Sequence, residues 1–364
     1  MTIFQIQNVR QIADRIKEQV TGTLDVPKIT SAAQSILNLP HKFCHLAMFE
    51  PNGKSQHIQW VPSKLFEASA HERNENNFDV KISYEVPVAI YRDAAQMSVV
   101  LKKSPMILAE LKLGSKIIIA DRPKIDLEKL NVDLVKLPLQ WLFYHETGHI
   151  IEKHNHLPQA ANLLCCEGEE RGLFEMNRGG ATLSGREAWV SHAIEISADY
   201  QATRMLVRQL VSERENITEL EIWAIMVGVT CLYYRFCGAE NVDFSTEARG
   251  THPNPVIRFR LMLSNLSSML FDDTYRKAMP WSYNKDYVYG ILYHAFIFAS
   301  SYWNDFNGQG NKIPRLLREM NGDLSLHSQY LRILEKTWND LRPQIEKLSF
   351  PNIPTSPMDF LYSE

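Results

Sequence analysis

The chain reads as an α+β protein, with a small mixed sheet in its N-terminal part and a mainly helical C-terminal part. Three observations predict this. Short segments rich in apolar and β-branched residues cluster between residues 41 and 120. From Pro138 onward, apolar residues recur at helical spacing with few strand signals. The 364 residues, 45% hydrophobic and 22% charged, suffice for one large or two ordinary domains with a sizeable core.

In chain order, Val9, Ile12, Ile16 and Val20 mark an amphipathic helix, and the helical pattern runs on to Pro40. His41–Glu50, Asp79–Tyr84, Val86–Tyr91 and Lys116–Ala120 are expected strands, and the polar run His71–Asn77 an expected loop. A helix with Pro138 in its first turn follows, since proline suits that position. Ser184 and Glu187 form an expected capping box before a helix that continues to about Val211. Ile222–Tyr234 is an expected core helix, capped by Thr218 and Glu221 and stopped at Gly238. Tyr289–Trp303 is a second short apolar run. Leu326–Leu348 is a last long helix, expected to break or kink at Pro343, before an irregular Pro-rich tail from Pro351. The expected division is therefore 1–136 with the sheet, 137–265 as a helical core and 266–364 as a helical extension. There is no internal repeat.

Several classes are disfavoured. Net charge is −3, with no basic arm and no zinc-finger spacing, so no nucleic-acid partner is expected. The apolar runs fall short of the roughly 20 residues that span a bilayer, and the start of the chain lacks a signal-peptide pattern. Cys44, Cys165, Cys166, Cys231 and Cys237 are odd in number and form no disulfide framework, which favours a reducing compartment. A soluble, cytoplasmic protein is expected. The vicinal pair Cys165–Cys166 reads as incidental thiols.

The chemistry concentrates in His145-Glu-Thr-Gly-His149. On a helix, residues i and i+4 share a face, so both imidazoles can point at one zinc ion. Glu146 follows the first histidine, where its carboxylate can act on water as a general base for peptide hydrolysis. Two histidines do not complete a catalytic zinc site, which takes three protein ligands and a water. The best third ligand is Glu195 in Glu195-Ile-Ser-Ala-Asp199. Asp199, one turn on, can accept from the far nitrogen of a ligand histidine and so fix its tautomer.

With these residues in place, the chain resembles the gluzincin metallopeptidases, whose HExxH is followed by a downstream Glu-x-x-Ala-Asp. Thr251-His-Pro-Asn-Pro-Val-Ile-Arg258 is similar to the His-Pro-x-x-x-x-Arg segment of the CAAX prenyl protease and heat-shock protease branch, in the same order. The resemblance covers residues 138 to 262 only, and the chain departs from that branch in lacking membrane spans. Two other gluzincin types share the look: phage-exclusion proteases that cut a translation elongation factor, and soluble proteases that cleave phage-type repressors. The resemblance implies a zincin-like fold with a sheet packed on the motif helix, whose edge strand aligns the substrate. It implies Zn2+ as cofactor and a protein or peptide as substrate. It gives His252 an oxyanion or substrate role and Arg258 a supporting one, against a structural His-Pro turn with Arg258 in a surface ion pair.

The other histidines carry less. His154 and His156 are expected at a helix C-terminus, where a cationic ring suits the dipole. His192, one turn before Glu195, reads as an ordinary exposed histidine, with a cleft-facing position as the alternative. Residues 155–186 join the two ligand helices, as a passive connection or as a lid or autoinhibitory loop. The leading expectation is a zinc endopeptidase. The competing one is a non-catalytic zinc-containing regulatory or binding module that senses a partner.

Overall fold

The computed structural model describes residues 25–103, 126–157, 164–167, 170–175, 183–213, 216–237, 247–276, 284–306 and 324–354. The expected helix around Val9–Val20, the expected strand Lys116–Ala120 and the stop at Gly238 lie outside them.

Helix α1 (Val26–Cys44) opens the described chain, its N-terminus capped by Asp25. A π-helical turn (His45–Phe49) and a 3-10 turn (Glu50–Asn52) continue it. The strand expected at His41–Glu50 is therefore helical. Its buried residues Leu37, Pro40, Cys44 and Met48 recur every three or four positions, the helical period rather than the period of two.

Strands β1 (Ser55–Val61), β2 (Ala68–Asn74) and β3 (Asn77–Ser83) follow. β3 bears out the strand expected at Asp79–Tyr84, whereas His71–Asn77 is no loop: His71 and Glu72 pair with Asp79 and Phe78 inside the sheet. With β4 (Leu164–Glu167) and β5 (Glu170–Glu175) the sheet runs β1-β3-β2-β5-β4. β1 and β3 are parallel and every other pair antiparallel, so the sheet is mixed. The described part of the 155–186 connection thus adds two strands to the sheet. Cys165 and Cys166 lie on β4, while Cys44 and Cys231 are buried free thiols.

Val86–Tyr91 forms the start of helix α2 (Glu85–Lys103), not a strand. Its β-branched residues suggest a strand, but burial at Val86, Ile90, Ala94, Met97 and Leu101 follows one helical face.

Helix α3 (Leu127–Ile151) carries the HExxH motif at the centre of the molecule, against α1, α2 and β2. It starts well before Pro138, because Asp126 caps it by accepting from the backbone N–H groups of Glu128 and Lys129. Pro138 therefore sits inside the helix, and the expected divide at 136/137 falls within it. An interior proline costs about 3 kcal/mol. Burial of Trp141, Leu142, Phe143 and Tyr144, at roughly 1.5–3 kcal/mol each, outweighs that. The ring is accommodated opposite Gly228, where a Cβ would come within 2.7 Å of it.

Helix α4 (Gly185–Glu213) packs on α3, and so does α5 (Glu219–Cys237), whose Arg235 also reaches Asp93 of α2. Ser184 pairs with Arg249 in an isolated bridge just before α4. The Thr218–Glu221 capping box of α5 forms as expected, each side chain bonded to the other residue's N–H. Gly148 makes the α3–α4 crossing close: a Cβ there would lie 3.2 Å from Ala198 Cα and Gln201 Cβ. Helix α6 (Pro255–Phe271), capped by Asn254, a one-turn helix (Asp273–Arg276) and α7 (Lys285–Phe306) complete the main core. Helix α8 (Leu324–Leu348) runs unbroken through Pro343, and its Leu334, Trp338 and Leu341 meet Val190 and Ile194 of α4 in a second core. Beyond it, Phe350 N–H donates to Ile151 O, and Gln201 Nε2 to Pro354 O. No helix among the described residues is long and apolar enough to cross a membrane.

Candidate metal centre

α3 presents His145 and His149 one turn apart, with their Nε2 atoms 3.1 Å from each other. Glu195 reaches them from α4: its Oε2 lies 3.4 Å from His145 Nε2 and its Oε1 3.5 Å from His149 Nε2. Zinc bonds of about 2.0–2.2 Å place tetrahedral ligands about 3.3–3.5 Å apart; the two histidine–glutamate separations match this, one to each Glu195 oxygen, and the histidine pair is slightly closer at 3.1 Å. Among the described residues, this is the group of histidine, cysteine and carboxylate side chains able to hold a metal, and all three are buried. Glu146, next on α3, is buried as well.

The donor chemistry fits a cation too. His145 Nδ1 lies 2.9 Å from Asp199 Oδ1, so Nδ1 carries the proton and Nε2 turns a lone pair into the pocket. Trp141 stacks on the same ring at 5.3 Å between centroids. An ionised Glu195 only accepts. Acceptors that converge this closely are reconciled by a positive ion.

Asp199 is held in turn by Arg258 of α6. Arg258 Nε donates to Oδ2 at 2.9 Å and Nη2 to Oδ1 at 2.6 Å. Burial alone would raise the Asp199 pKa, but Arg258 and His145 overcome it and hold the carboxyl below its ordinary value. Arg258 is fully buried, lies 4.4 Å over the Tyr233 ring, and brings Nη2 to 3.7 Å from Glu195 Oε2. The surface ion pair considered for it is thus a buried one.

His252 sits in the turn before α6. Its Nε2 lies 3.5 Å from Glu195 Oε2, its Nδ1 lies 2.8 Å from Thr251 Oγ1, and its ring stacks on Phe236. It borders the pocket but does not join the ligand group. Among the described residues three side chains converge; catalytic zinc sites take three protein ligands and structural sites four.

Other expectations are corrected here. His192 is buried, not exposed, and hydrogen-bonds to the Tyr330 hydroxyl of α8. Burial and the neighbouring His252 push its pKa down to about 3. His154 and His156 lie in a 3-10 turn after α3, and His154 is wholly buried, its Nδ1 2.8 Å from His149 Nδ1. The sequence reading missed this contact, along with Glu152, Ser197 and Gln201 behind it. The one available signal was spacing, since Ser197 and Gln201 alternate with Glu195 and Asp199 on α4. Comparison with protein-family models, curated proteins and solved structures finds no match to this chain.

Proposed function

We propose that the chain is a zinc-dependent endopeptidase of the gluzincin type, acting on an intracellular protein or peptide. The observation that supports this best is the convergence of His145, His149 and Glu195 at zinc-like separations, with Glu146 beside His145 on the same helix. Zinc held there supplies Lewis acidity toward a carbonyl oxygen and makes water easier to deprotonate. Glu146 takes the proton of the attacking water and passes it to the leaving amine. Asp199 holds the His145 ring, and Arg258 holds Asp199. His252, on the Glu195 side, donates to the substrate carbonyl oxygen as negative charge grows there.

The test compares wild type with Glu146→Gln. The variant should keep one equivalent of zinc and lose at least about 100-fold in cleavage rate; normal cleavage would remove Glu146 as the base. Protein termini in cells expressing each form identify the target. One cut host protein points to a phage-defence protease, and many point to quality control.

A second reading, a non-catalytic zinc module that binds a regulatory partner, is favoured by burial. Glu146 is 0% exposed and His149 2%, so a peptide reaches them only after movement. Zinc at one equivalent with no cleavage of any library peptide or proteome extract would decide for the module.

A further inference from the structure

The two ligand histidines are backed in different ways. His145 meets a carboxylate directly, whereas His149 Nδ1 faces another imidazole, His154 Nδ1, at 2.8 Å. His154 Nε2 lies 2.8 Å from Glu152 Oε2. The Glu152 oxygens accept from Ser197 Oγ at 2.5 Å and Gln201 Nε2 at 2.6 Å. All of these side chains are buried.

We infer that His154 is a positioning residue for His149, transmitting the Glu152 carboxylate to it through one imidazole. His154 Nε2 and Glu152 Oε2 make a close electrostatic contact rather than an aligned hydrogen bond, and the carboxylate's charge favours the Nε2–H tautomer of His154. Its Nδ1 is then bare and accepts from His149 Nδ1–H. That leaves His149 Nε2 as a lone pair, and Nε2 is the atom facing His145 and Glu195. The tautomer of the ligand is set two groups away, by Glu152.

The sheet holds this relay in place. Lys153 adopts a left-handed conformation (φ 53°), which turns the chain back after α3. Glu72 of β2 accepts from Lys153 Nζ at 2.9 Å and Asn155 Nδ2 at 2.9 Å, and lies 2.5 Å from His156 Nε2. One carboxylate thus grips the residues on both sides of His154 while His154 turns inward. α4 supports both ligands: Asp199 stands directly behind His145, and Ser197 and Gln201 act through Glu152 and His154 on His149.

The inference rests on the metal-site reading, not on peptidase activity. Its test measures zinc affinity by chelator competition, with the melting temperature of the metal-free protein as a folding control. His154→Phe keeps a ring but removes the acceptor, and should weaken zinc binding about 10-fold to 100-fold, the usual cost of losing an outer partner of a ligand. His154→Asn places an amide oxygen near the lost Nδ1 and should recover most of that loss. If wild type binds no zinc, the site reading fails and the inference falls with it. If wild type binds and a folded His154→Phe binds equally well, only the role of His154 fails. Nitrogen-15 NMR of histidine-labelled wild type gives a check that needs no variant: His149 should be protonated at Nδ1 and His154 at Nε2. A His154 protonated at Nδ1 would overturn the relay.

Discussion

Asp93 and Asp199 are both buried aspartates, each gripped by an arginine from a later helix. Around Asp93, Arg235 Nη2 lies 2.7 Å from both carboxylate oxygens, Nε donates at 3.1 Å, and the Tyr302 hydroxyl adds a bond at 3.0 Å. One cation meets one anion. Around Asp199, a single Arg258 serves two carboxylates, since Glu195 lies 3.7 Å from the same guanidinium, and two imidazoles crowd the far side of Glu195. Burying charge is costly unless it is paired. The first cluster is complete as it stands; the second is complete with one more positive charge. The difference separates a charge cluster that braces the fold from one that could hold an ion.

The largest expected effect tests the feature they share. Arg235→Met and Arg258→Met each leave an aspartate buried without its cation, which should cost about 3–5 kcal/mol in urea unfolding. Removing both partners then separates them. Asp93→Leu with Arg235→Met should regain most of the lost stability and bind zinc like wild type. Asp199→Leu with Arg258→Met should bind zinc more weakly whatever its stability. Equal zinc binding by the two double variants would erase the distinction.

Next in size is the stabilisation by metal. Zinc at one hundred times its dissociation constant should raise unfolding stability by about 2.7 kcal/mol. Glu195→Gln should abolish that gain, and a gain that persisted would remove Glu195 from the ligand set. Asp199→Asn should lower zinc affinity about 10-fold to 100-fold, about 1.4–2.7 kcal/mol by calorimetry.

The smallest effect, counted per pH unit, concerns acid. His192 is held near a pKa of about 3 by burial and by His252, against about 6.5 when unfolded. Unfolding therefore takes up a proton below about pH 6.5. The neutral ring's contribution is complete above that value and is lost at up to about 1.4 kcal/mol per pH unit as pH falls toward 3. His192→Gln should flatten this part of the acid-unfolding curve; an unchanged slope would show that other groups carry it.

The candidate metal group was legible because helix geometry turns spacing into direction. His145 with His149, and Glu195 with Asp199, each stand four residues apart, and the Thr218–Glu221 box gave the start of α5. The core helix at Ile222–Tyr234 was legible for the same reason. What failed had physical causes. Val86, Val88 and Ile90 favour strands by type, yet the helical burial pattern of α2 overrode propensity. Pro138 suggested a helix start because its partner, Gly228, is 90 residues away in the chain. His154 was read as a helix-end residue because its inward turn depends on a left-handed Lys153 and on Glu72, and neither glycine nor asparagine marks that bend. Arg258 was placed near the site by resemblance, but its burial against Asp199 is a tertiary fact.

The close approach at Gly148 also orders events during synthesis. His145 and His149 leave the ribosome well before Glu195, and the pocket exists only once Ala198 rests against Gly148. A nascent chain that ends before α4 carries two imidazoles with no carboxylate opposite them. Assembly of the three-residue pocket is therefore timed to the docking of α4, not to the appearance of the motif. A side chain at position 148 would hold the helices apart and delay that moment.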